Sequence, residues 1–150
     1  MERVADRVEQ ARENLDVDAV HGLRTALRRC RTMAEALSEV NPDSAWRKVK
    51  KSSRALFKAL GDLRDAQVER GWVKRLAVPG DPVRSRFLRM LSRREKEQME
   101  VARKALDDFD VKEWKRLTRK VARKAALFPK WKGCRIKTPK ARSSIIANAS

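Results

Sequence analysis

Apolar residues recur along this chain at intervals of three and four, the spacing of one face of a helix. Val4, Val8, Ala11 and Leu15 predict a short first helix. Asp16 reads as the N-cap of a second helix running to about Val40. Asn41-Pro42-Asp43-Ser44 is a turn signal, with Ser44 capping a third helix from Ala45 to about Leu60. Gly61 marks a break or kink, and helical spacing resumes from Leu63 to Ala77. Val78-Pro79-Gly80-Asp81-Pro82 is the clearest loop, with Asp81 as an N-cap and proline at the first helical position after it. The long helix that follows carries Val83, Phe87, Met90, Val101 and Ala105 on one side. Asp110 to Glu113 resembles a capping box opening the last helix, where Trp114, Leu117, Val121, Ala125 and Phe128 form one apolar stripe before Pro129. No strand alternation of useful length appears. The expected fold class is all-α, an antiparallel helical bundle of roughly four to six helices. The domain is expected over 1–129, with 130–150 a basic, disordered tail.

Composition sharpens this picture. The 150 residues carry 38 Lys+Arg against 20 Asp+Glu, a formal charge of +18. A length of this size fits one domain. Hydrophobic residues at 41% suffice for a core. No window approaches the apolar length of a membrane span, and the start, Met1 to Ala5, lacks the apolar stretch of a secretory signal. Cys30 and Cys134 match neither a zinc spacing nor a disulfide framework, which fits a reducing cytoplasm. So large a surplus self-repels and points to an anionic partner.

The surplus is unevenly placed. From Trp114 to Ser150 there are twelve Lys/Arg and no acid; from Trp46 to Leu60 there are six, again with none. On a helix with His21 at zero, Arg24 falls near −60°, Arg28 near −20° and Arg31 near −80°, while Arg29 lies near +80°. Leu23, Leu27 and Cys30 lie on the far side, so Cys30 reads as core. On the third helix, with Trp46 at zero, Arg47, Lys51, Arg54 and Lys58 cluster between about 80° and 140°. Like charges at these spacings weaken a helix, so local stability does not account for them. A single basic stripe is usually a solvated face, interspersed with acids. Two neighbouring acid-free stripes favour binding of something anionic and extended. Trp46 and Trp114 read as core; Trp72 and Trp131 stay open.

Two resemblances bear on the second helix. His21-Gly22-Leu23-Arg24-Thr25-Ala26-Leu27 is similar to the phosphoacceptor box of sensor histidine kinases. Gly22 stands where that box has an acid, and Ala26 where it has a proline. A histidine phosphotransfer bundle is related, but its usual Lys-Gly after the histidine appears here as Arg24-Thr25. The second likeness extends further. Val20-His21-x-Leu23-Arg24-x-x-x-Arg28-Arg29-x-Arg31, followed by Leu60-Gly61-Asp62-Leu63-Arg64-Asp65-Ala66-Gln67-Val68, resembles the two motifs of the CHAD family, the conserved-histidine α-helical domain.

That resemblance implies non-enzymatic binding of inorganic polyphosphate through basic side chains lining a central groove or pore. It implies phosphate contacts from His21, Arg24, Arg28, Arg29 and Arg31. Arg47, Lys51, Arg54 and Lys58 join them on helix geometry alone. Arg64 and Asp65 match the family but read equally well as a structural pair. The family usually has two pseudo-symmetric units, each with its own His/Arg helix. One histidine here suggests the first half alone, either as an open half-groove or as a homodimer restoring the missing half. No cofactor, metal or membrane is expected, and the cytoplasm, with its polyphosphate granules, is the expected location. The alternatives are a nonspecific nucleic-acid-binding protein and a phosphotransfer-like bundle. Against the first, no aromatic residue appears on a basic stripe.

Overall fold

The computed structural model describes residues 3–40 and 42–126, and there is no strand among them. They form α1 (Arg3–Glu13), α2 (Val17–Val40), α3 (Ser44–Ser52), α4 (Arg54–Leu76), α5 (Pro82–Asp107) and α6 (Val111–Ala126). The all-α bundle expected from the spacing is therefore observed. Phe128, Pro129 and the segment read as a tail lie outside the described residues, as does the side chain of Ala125.

Aspartates start α2, α3, α5 and α6. Asp16 Oδ1 accepts from the amides of Asp18 and Ala19 at 3.0 and 2.7 Å. Asp81 accepts from the Val83 amide at 2.7 Å, and Asp110 from the Glu113 amide at 2.9 Å. Each satisfies an amide that has no partner inside its helix. At α3 the cap is Asp43, whose carboxylate accepts from the Ala45 amide at 2.8 Å, in place of the expected Ser44.

The helix expected from Ala45 to Leu60 is two helices. The chain bends at Ser53, one residue between α3 and α4, and α4 runs on through Gly61 to Leu76. Ser53 is fully buried, and its hydroxyl donates to the Val49 carbonyl at 2.9 Å. Ser52 donates to the same carbonyl at 3.1 Å. Serine hydroxyls returned onto the preceding turn compete with the backbone ladder and bend a helix. Gly61 only lacks a side chain; it does not interrupt the helix.

α2 is the hub, packing on α1, α3 and α4, while α6 closes over α3 and α1. Leu23, Leu27, Leu56, Leu60, Trp46 and Trp114 are fully buried, and Cys30 is buried with them, as expected. The Phe109 and Trp114 rings lie 5.6 Å apart and tilted. Arginines fasten two helix ends by donating to carbonyls of the last turn. Arg12 of α1 donates from Nη2 to the Leu106 and Phe109 carbonyls at 2.9 and 3.1 Å, closing α5. A cation there also meets the negative end of the helix dipole.

α4 and α5 form an antiparallel hairpin, tied by Arg70–Glu95 at 2.9 Å and Arg94–Glu69 at 2.8 Å. The α5 residues buried in it are Leu91, Glu95, Ala102 and Leu106. Val83, Phe87, Met90 and Val101 do share a side, as the spacing predicts, but they are exposed; Ala105, expected with them, is half-buried against the core. Trp72 is exposed as well.

Candidate functional site

α2 meets the α3–α4 bend through two arginines and one ring. Arg31 Nη1 donates to the Lys50 carbonyl at 2.7 Å and to Ser53 Oγ at 3.2 Å, so it fastens the end of α3. Its guanidinium carbon lies 5.0 Å from the centroid of Phe57. Arg24, two turns earlier on α2, places its own guanidinium 5.6 Å from the same centroid. Arg24 Nε is buried and has no acceptor among the described residues, and no carboxylate pairs with this side chain there. Partly buried cations are normally paired, because desolvation disfavours the charge. Two guanidiniums against one aromatic ring therefore leave a local positive excess, oriented by the ring.

Next to this cluster lies a depression of about 480 Å³ lined by Arg31, Ser38, Arg47, Lys50, Lys51 and Arg54. No carboxylate lines it. Glu35 reaches Lys50 from outside at 2.6 Å, and that hydrogen bond holds the Glu35 carboxyl below its ordinary value. Four residues expected on the stripes thus come together from three helices: Arg31 from α2, Arg47 and Lys51 from α3, and Arg54 from α4. The bend at Ser53 does not scatter the third-helix stripe, because it falls between Lys51 and Arg54.

The other expected residues lie elsewhere. His21 and Arg29 line a second depression of about 340 Å³, shared with Arg3 and Arg7 of α1. This follows from the helix phase, since Arg29 falls on the side of α2 away from Arg31. Arg7 reaches across Gly22, where a Cβ would meet its guanidinium, so the missing side chain admits the arginine. Arg28 and Lys58 are exposed and line neither depression. Arg64 and Asp65 form no ion pair with each other among the described residues.

Sequence reasoning missed Phe57, Lys50, Arg3 and Arg7. Phe57 had one usable signal: it directly follows Leu56, so one of the two must leave the apolar face. α6 adds a further cationic face. Arg116 is paired with Glu113 at 2.6 Å, which raises the arginine and lowers the carboxyl. Lys124 is bonded to Asp43, and that bond holds the Asp43 carboxyl below its ordinary value. Lys112, Lys115, Arg119, Lys120 and Arg123 have no carboxylate partner among the described residues. Burial raises the Cys30 thiol, as befits a core residue rather than a reactive one. Among the described residues no group of three or more His, Cys, Asp or Glu could hold a metal ion, and no helix is long and apolar enough to cross a membrane.

Fold and surface together define a small all-α bundle with cationic depressions on two sides of its central helix. The chain belongs to the CHAD family: the CHAD domain matches it over residues 1–145. The match continues into the segment that the sequence sets apart as a tail. CHAD is known as a polyphosphate-binding family and is generally a non-catalytic binding domain. No curated protein matches the chain, and no solved structure does.

Proposed function

We propose that this chain binds inorganic polyphosphate without catalysis, along the cationic surface where α2 meets the α3–α4 bend. The observation that carries the reading is the pair Arg24 and Arg31 on the Phe57 ring, with Arg24 lacking any carboxylate among the described residues. Arg47, Lys51 and Arg54 extend the positive surface from there. Guanidinium groups suit phosphate oxygens because their planar fork makes charge-assisted, bidentate bonds. Lysine adds point charge. His21 and Arg29, with Arg3 and Arg7, receive phosphates on the other side of α2, and Arg28 and Lys58 contribute long-range attraction. With one histidine–arginine helix per chain, a second copy completes the binding channel. The site acts inside the cytoplasm, where polyphosphate is the extended anion.

Arg24→Ala tests the reading. In a titration with long-chain polyphosphate, it should weaken binding by about tenfold or more, since a charged hydrogen bond contributes roughly 1.5–3 kcal/mol. Duplex DNA and RNA, matched in phosphate concentration, serve as competitors. Their failure to displace polyphosphate supports the reading; ready displacement turns the assignment towards a general nucleic-acid binder. Transfer of labelled phosphate from a response regulator onto His21 would instead support the phosphotransfer alternative.

A further inference from the structure

α5 carries an apolar row that the fold leaves uncovered. Val83, Phe87, Met90 and Val101 are 66%, 48%, 55% and 52% exposed. With Arg94 and Glu97 they occupy positions 83, 87, 90, 94, 97 and 101, a 4-3-4-3-4 spacing. That is the heptad seam of a helix that pairs with another helix. The row is distinct from the buried face, which carries Leu91, Glu95, Ala102 and Leu106. Single exposed apolar side chains need no explanation, but four at one heptad phase on a helix otherwise this charged mark a contact surface.

Charge selects the occupant. The first half of α5, residues 82–94, holds five arginines (Arg84, Arg86, Arg89, Arg93, Arg94) and no acid. The second half, residues 95–107, holds Glu95, Glu97, Glu100 and Asp107 against Lys96, Arg103 and Lys104. Glu95 is turned inward to Arg70, but an antiparallel copy still sets the all-arginine half of each helix against the half of the other that carries Glu97, Glu100 and Asp107. The segment after residue 126 is a poor occupant by the same criterion: it carries six Lys/Arg and no acid, and would meet like charge at Arg84, Arg86 and Arg89.

We infer that the exposed α5 seam is a homodimer interface, with two copies of α5 packed antiparallel about Ser92. In that register Val83 layers against Val101 of the second copy, Met90 against its Arg94, and Phe87 against its Glu97. Arg86, which has no ion-pair partner among the described residues, comes beside Glu100 of the second copy at the flanking positions that set orientation in coiled coils. Arg94 keeps its bond to Glu69 of its own hairpin, which draws its charge off the seam. The polar Arg94 and Glu97 positions fix the register as buried polar positions do elsewhere. The inference shares the second copy with the proposed function and supplies the surface, but it requires no polyphosphate.

The test is the mass of the full chain by sedimentation equilibrium without polyphosphate, over a wide concentration range. A dimer is expected for the wild type, and Phe87→Glu should raise the dissociation constant at least a hundredfold while helical circular dichroism is unchanged. Arg86→Glu and Glu100→Arg should each weaken the dimer about tenfold, and the double variant should recover most of that loss. This rescue is peculiar to the antiparallel register. A wild-type monomer at every concentration overturns the inference, as does a dimer that Phe87→Glu leaves intact, or a double variant no better than the singles. A polyphosphate titration of the Phe87→Glu monomer separates the two readings: binding retained but weakened leaves the cationic surface of one chain standing whatever becomes of the dimer, and binding at full strength shows that the second copy is not part of the channel.

Discussion

Arg31→Lys keeps the charge of a residue that the sequence marks for phosphate but removes the planar fork that the structure uses. Arg31 Nη1 bonds two acceptors, the Lys50 carbonyl and Ser53 Oγ, while the guanidinium lies 5.0 Å from the Phe57 centroid. A lysine has donors enough for both acceptors, but its shorter stem and compact ammonium cannot hold both while keeping a planar cation against the ring. A charged hydrogen bond contributes about 1.5–3 kcal/mol. The one lost here falls below that range, because Arg31 is half-buried and Ser53 Oγ keeps its bond to Val49. Taking about 1 kcal/mol for it and about 0.5–1 kcal/mol for the cation–π contact gives a loss of about 1.5–2 kcal/mol. Arg31→Ala, which also leaves the Lys50 carbonyl with only the long bond from Ser53 Oγ, should cost about 3 kcal/mol. Urea unfolding followed by circular dichroism measures both, as a lower midpoint at unchanged slope. In a Phe57→Ala background the penalty of Arg31→Lys should shrink by the cation–π share, about 0.5–1 kcal/mol. An Arg31→Lys protein within about 0.3 kcal/mol of wild type would refute the reasoning, since only charge would then matter at this position.

Gly71→Ala should stabilise the chain by about 0.5–1 kcal/mol, because the position is mid-helix with nothing near a new Cβ. Gly61→Ala should do nearly as well, its Cβ meeting only Arg24 Nε at an ordinary 3.7 Å; a large loss at Gly61 would mean that the helix does bend there. Asp43→Asn keeps the cap but removes the charge that meets Lys124. Because the bond from Lys124, and then the Ala45 amide, hold the Asp43 carboxyl below its ordinary value, its contribution is present above the unfolded value and lost as pH falls through the folded one. The gap in urea midpoint between wild type and Asp43→Asn should therefore be steady near neutrality and close below a pH of about 4. Polyphosphate affinity should fall steeply with salt: by analogy with nucleic acids, five contacts lose about 10²–10³-fold between roughly 50 and 200 mM. A flat salt response would argue against phosphate as the recognised group.

Much of the fold is legible along the chain, and for identifiable reasons. Asp16, Asp81 and Asp110 announce their helices because an aspartate ahead of an apolar rhythm has one local job. Ser53 announces nothing. Trp46, Val49, Leu56 and Leu60 keep helical spacing across the bend, and only the burial of the serine hydroxyl reveals it. α5 shows the limit of periodicity: it groups residues by side but does not say which side is covered. Val83, Phe87 and Met90 look as core-like as Leu91, Ala102 and Leu106. At the candidate site, the stripes on α2 and α3 are readable from acid-free spacing, and Arg31, Arg47, Lys51 and Arg54 do meet. Their division from His21 and Arg29 is written in the helix phase, at +80° against −80°. The placing of Phe57 and the two hydrogen bonds of Arg31 depend on how α2 meets α3, the bend and α4, which no local pattern contains.

The central claim is that a placed group of cations, rather than the total of +18, recognises polyphosphate. It is tested most directly by two variants of equal charge loss, titrated with long-chain polyphosphate at one salt concentration. Arg24→Ala/Lys51→Ala/Arg54→Ala removes three cations from the surface at the α3–α4 bend, while Lys115→Ala/Arg119→Ala/Arg123→Ala removes three from the α6 face. The first should lower affinity by at least a hundredfold and the second by no more than about tenfold, with the salt slope falling by about 2–3 only in the first. Equal losses in the two would contradict the account.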